Sequence, residues 1–126
     1  MKLHSSVSNG LLSITAYDGQ HIAVNGRRLT KSFLLTPRRL IETWPPASFD
    51  SLTEPDLAAV ADLDCRIVLL GTGPRQRFPA RALLRPLIER RIGVEVMDSH
   101  AACRTYNILM AEGREVAAAL IIECAI

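Results

Sequence analysis

Cysteine is scarce in this sequence and nowhere paired: Cys65, Cys103 and Cys124 are an odd number with no CxxC spacing. That excludes a disulfide framework and gives no zinc-site signal, and it fits a reducing cytoplasm. His4, His21 and His100 are scattered, with no acidic residues at ligand spacing around them, so neither a metal nor another cofactor is expected. Aromatic residues make up 5% of the chain and the formal net charge is only +2, which argues against stacking on bases or binding nucleic acid. No apolar run approaches the roughly 20 residues of a membrane span, and the N-terminus lacks the apolar core of a signal peptide. A soluble, cytoplasmic protein is the expectation. The one glycine-rich loop is neither GxGxxG nor a P-loop with its lysine, which speaks against a nucleotide.

What the chain does have is aliphatic bulk. Of its 126 residues, 48% are hydrophobic and 22% charged, a globular composition with room for one core. Residues 1–10 are polar and without periodicity and read as a flexible N-terminal arm, leaving 11–126 as a single α/β domain. Strands are expected at Ile14 to Tyr17, Ile22 to Val24 and Ser32 to Thr36. Asp18-Gly19 and Asn25-Gly26 serve as the turns of a three-stranded N-terminal meander. The basic residues Arg27, Arg28, Lys31, Arg38 and Arg39 read as solvated charges protecting strand edges rather than as a surface for RNA or an acidic partner. Trp44-Pro-Pro is an extended connection whose tryptophan needs burial. Thr53 is a good N-cap for a helix packing Leu57, Val60 and Ala61. A second helix is expected from near Pro79, with Leu83, Leu84, Leu87, Ile88 and Ile92 on one stripe, started or kinked by Pro86 and closed by Gly93. Val94 to Met97 is a strand, Asp98-Ser99 offer the cap of a third helix ending near Glu112-Gly113, and Glu115 to Cys124 is the last strand. The order predicts α/β architecture with a central mixed sheet, parallel in its alternating half, with the direction of the last strand open.

The stretch that organises the rest is Ile67 to Leu70, a buried strand, running into Gly71-Thr72-Gly73 with Arg75 and Arg77 behind it. Two guanidinium groups next to a helix start and flexible glycines would suit an anion or an acidic patch on a partner. A plain strand-to-helix turn explains the glycines equally well. Ser99 and Arg104, at the start of the third helix beyond another strand end, could converge on the same group. Cys103 is the one candidate nucleophile, with His100 three positions away, but no third group is evident to orient that histidine. Cysteine filling space among alanines is the stronger reading, so Cys103→Ser is expected to leave folding nearly intact.

Four segments together resemble the adipogenesis-associated Mth-domain family: Ile67-Val-Leu-Leu-Gly-Thr-Gly, Gly93-Val-Glu-Val-Met-Asp-Ser, Ala102-Cys-Arg-Thr-Tyr-Asn and Glu112-Gly-Arg-Glu-Val-Ala-Ala-Ala-Leu-Ile. The resemblance is densest from Cys65 to Ile122. It implies a small three-layer α/β fold, kinship with a mitochondrial protein that helps assemble respiratory complex I, and no established reaction. Lacking a transit peptide, the chain resembles the bacterial members. Ser99 stands where relatives often carry threonine, a swap that would keep a capping hydroxyl. A non-enzymatic binding or assembly-factor-like module with an anion-accepting arginine loop is therefore expected, its partner a protein or a small anion. The alternative is a small enzyme or ligand-binding protein acting on an anionic metabolite. Homo-oligomerisation is left open.

Overall fold

The structure, a computed structural model, describes residues 10–123, so the expected arm before Gly10 and the end of the last strand at Cys124 lie outside the described residues. Along the chain run β1 (Ile14–Tyr17), β2 (Ile22–Val24), β3 (Arg27–Leu29), β4 (Phe33–Thr36), β5 (Arg39–Ile41), α1 (Glu54–Ala61), β6 (Ile67–Gly71), α2 (Arg85–Glu89), β7 (Gly93–Met97), α3 (Ser99–Ala111) and β8 (Val116–Leu120). β1, β2 and β3 form a small antiparallel sheet. The other five strands form a mixed sheet in the order β5-β4-β8-β6-β7. Within it β6 is parallel to both β7 and β8, and β4 is antiparallel to β5 and β8.

The unbroken apolar runs of β6 and β8 follow from burial on both faces of this sheet. Leu69, Ala118 and Leu120 join Phe33 and Leu35 against α3 and the small sheet. Val68, Leu70, Ala117 and Ala119 turn the other way, toward Trp44, α1 and Leu87 of α2. Three layers result, with the mixed sheet in the middle. Each fully buried leucine or isoleucine contributes about 1.5–3 kcal/mol through lost apolar exposure. Trp44 is buried, and its indole N–H donates to the Asp56 carbonyl at 3.1 Å. That bond ties the Pro-rich connection to α1, whose start is a reciprocal capping box between Thr53 and Asp56.

Several expectations are corrected. The third strand of the meander is Arg27–Leu29, not Ser32 to Thr36. Asn25 and Gly26 both have positive φ, 47° and 85°, so they form a two-residue turn that returns the chain at once with Val24 opposite Arg27. The apolar Phe33-Leu-Leu run is wholly buried and belongs to the large sheet, where it pairs with β8. The second helix does not begin near Pro79. A 3-10 turn at Arg81–Leu84 precedes the five-residue α2, because Pro86 has no N–H to continue an α-helical ladder and can only stand in a first turn. Nor does Gly93 close that helix, since it opens β7. Arg91, with φ 58°, takes the left-handed position, while the Arg91 and Ile92 N–H groups donate back to Ile88 and Leu87 carbonyls. The last strand is shorter than expected and ends at Leu120; its direction is parallel to β6.

Candidate functional site

β6 and β7 end side by side, with Gly71 closing β6, Thr72 to Arg77 in the loop after it, and Ser99, Cys103 and Arg104 on α3 just beyond β7. Their hydroxyls are turned inward. Ser99 Oγ donates to the Ile121 carbonyl at 2.8 Å and accepts from the Gly73 N–H at 2.9 Å, while the Ser99 N–H donates to the Gly73 carbonyl at 2.9 Å. One buried side chain thus joins the exits of β6 and β8 to the start of α3. Ser99 is not the cap of α3. Asp98 is, accepting from the Ala101 N–H at 2.8 Å. Gly71 is required by this closeness, because a Cβ there would stand 2.9 Å from both Ser99 Oγ and Leu120 Cδ2. Gly73 is required by its φ of +97°.

Thr72 holds the arginine loop in shape. Its hydroxyl is 2.6 Å from the Arg75 carbonyl and 3.2 Å from that of Met97, and it accepts from the Arg77 N–H at 3.2 Å. Beyond this turn the two arginines differ. Arg77 is neutralised by a residue far away in sequence: its Nη2 lies 2.6 Å from Asp50 Oδ1, and its guanidinium covers the Phe49 ring at 4.5 Å. The Arg77 hydrogen bond holds the Asp50 carboxyl below its ordinary range, and Asp50 raises Arg77 in turn. Glu123 is close as well, accepting from the Phe49 N–H at 2.9 Å. Arg75 is exposed and, like Arg104 on α3, has no ion-pair partner within 4 Å among the described residues. Among the described residues no ion pair joins Arg104 to another group, and the helical start after the loop is a 3-10 turn at Arg81, with α2 beginning only at Arg85.

Cys103 lies fully buried in the core between α3 and the small sheet. Burial, with a smaller contribution from Asp98, pushes its thiol up to about 12, the reverse of what a nucleophile needs. His100 stacks flat on Tyr17 with ring centroids 4.7 Å apart. Sequence reasoning misses that stack, as it misses the Asn107 side chain, which accepts from the Ile14 N–H at 2.9 Å and donates to the Ile14 carbonyl at 2.8 Å. It also misses Phe78, which stands 75% exposed between Arg77 and Pro79. Partners from distant parts of the chain leave no local signal, although an aromatic residue inside a Pro- and Arg-rich loop is a visible anomaly.

Comparison with known proteins agrees with this architecture. Residues 14–121 match the family described as a protein of unknown function (DUF498/DUF598). A Bos taurus protein named NADH dehydrogenase [ubiquinone] 1 alpha subcomplex assembly factor 3 is 36% identical over 110 residues, covering 86% of this chain and 59% of the relative. The chain thus spans about three-fifths of that relative's length. Among solved structures, a Bordetella parapertussis protein superposes with a TM-score of 0.86 at 38% identity, over 93% of this chain and 100% of the other. A Bordetella pertussis protein described as a Mth938-like domain gives 0.83 at 33% identity, over 98% and 94%. The extent of these matches and the shared three-layer architecture lead to one conclusion: the chain belongs to the DUF498/DUF598 family of Mth938-like domains.

Proposed function

We propose that this protein is a non-enzymatic binding module of the assembly-factor kind, acting in the cytoplasm and meeting an acidic surface of a protein partner with its arginine loop. One contrast carries the reading. The hydroxyls of Thr72 and Ser99 and the thiol of Cys103 are turned inward as structural groups, while Arg75 and Phe78 of the same loop project outward. Exposed phenylalanine and arginine are residue types enriched at protein interfaces. Kinship with a protein named as a complex I assembly factor supports a protein as the partner. The anion-accepting role falls to Arg75, because Asp50 already occupies the anion position beside Arg77.

Affinity capture with the wild type and with Arg75→Glu/Phe78→Ser, both exposed positions, tests this. A partner recovered by the wild type and lost by the double variant, at unchanged melting temperature, is the expected result. Equal recovery of that partner by both proteins would remove the loop from the interface.

A further inference from the structure

The concave site with converging charge lies at the other end of the sheet. The β4–β8 ladder stops at Leu35 opposite Ala118, but β8 continues beside β6 as far as Val116. Beside the first residues of β8 this leaves a wedge that opens into a cavity of about 530 Å³. Its apolar lining is the half-buried Leu11 and Pro37 over the nearly closed-off Leu63, Met110 and Val116, and the exposed Arg38, Arg39 and Arg114 line it as well. The hairpin that carries two of these arginines is held firmly. Thr36 Oγ1 accepts from the Arg38 N–H at 3.3 Å, and the Pro37 carbonyl accepts from the Leu12 N–H at 2.8 Å. Arg38 and Arg39 have no ion-pair partner within 4 Å among the described residues, and Arg114 has only Glu112 at 3.9 Å.

We propose that this cavity binds a monocarboxylate with an apolar body, such as a medium-chain fatty acid. The chain of the ligand lies against the half-buried Leu11 and Pro37, above the closed floor of Leu63, Met110 and Val116, and its carboxylate meets Arg38, Arg39 and Arg114. An apolar pocket of a few hundred Å³ with a few convergent polar groups is the usual form of a small-molecule site. Arginine suits a carboxylate because its planar donors match both oxygens. The lining sets the ligand's charge. Glu115 is paired with Arg66 at 3.4 Å and Arg114 with Glu112 at 3.9 Å, which leaves Arg38 and Arg39 against Asp64, an excess of one positive charge that matches one carboxylate. This inference is independent of the arginine loop at the opposite end of the strands.

Titration of decanoate, kept below micelle-forming concentration, into the full ¹⁵N-labelled chain tests it. Saturable amide shifts are expected at Leu63, Gly113 and Val116. Decanol, which lacks the charge, and butyrate, which lacks the chain, are each expected to bind at least about tenfold more weakly, a difference of roughly 1.4 kcal/mol. Arg38→Ala/Arg39→Ala changes only exposed side chains and is expected to weaken decanoate by a similar factor. Shifts spread over the surface, equal binding of decanol or butyrate, or unchanged affinity in the double variant would each overturn the assignment.

Discussion

Arg77 and Asp50 meet at 2.6 Å across the gap between the loop after β6 and the 3-10 turn at Phe49–Ser51, and Phe49 lies beneath the same guanidinium. Two segments 27 residues apart in sequence are fastened there, so of two arginines that read alike in the sequence, Arg77 is already paired.

The pair has a pH signature. Asp50 has a lower pKa folded than unfolded, first because of the Arg77 hydrogen bond. Its contribution to stability is therefore fully present above the unfolded value near 3.8 and is lost as pH falls through the lower folded value. An NMR titration of the Asp50 carboxyl is expected to show a depressed midpoint that moves back up in Arg77→Gln. Both groups are at the surface, so the global stability change is expected to be small. An unchanged Asp50 midpoint in the variant would mean that the pair does not persist in solution.

Ser99 is a different case because it is buried. Ser99→Ala leaves the Gly73 N–H and the Ile121 carbonyl without their side-chain partner, and is expected to cost about 1–3 kcal/mol by urea unfolding. Ser99→Thr retains the hydroxyl and is expected to cost less. A loss below about 0.5 kcal/mol in the alanine variant would show that water or a backbone shift replaces both bonds.

Cys103→Ser does not look harmless once burial is known. A hydroxyl would replace a thiol inside an apolar cluster, and about 1–3 kcal/mol of destabilisation is expected, with Cys103→Ala milder. With its thiol pushed up to about 12, Cys103 should also resist iodoacetamide in the native state and react only on unfolding, while half-buried Cys65 reacts sooner. Mass spectrometry of peptides from briefly labelled native protein checks this. Rapid native modification of Cys103 would contradict its burial.

Much of the fold is legible from local chemistry. The apolar runs of β6 and β8, the capping box at Thr53 and the Asp98 cap before α3 each state their structure within a few residues, because backbone satisfaction and two-sided burial impose short-range patterns. The candidate loop was also legible as a place, since Gly71 and Gly73 are there for close approach and positive φ. Tertiary structure decided the rest. Sequence alone could not show that Phe33 to Thr36 leaves the meander for β8, because either sheet satisfies its strand pattern and only total burial separates them. Nor could it show that Asp50 neutralises Arg77, that Ser99 spends its hydroxyl on Ile121, or that Arg38, Arg39 and Arg114 line one cavity. Charge pairing and concavity depend on distances between chain segments that no local pattern encodes, and these distances determine which residues remain available for binding.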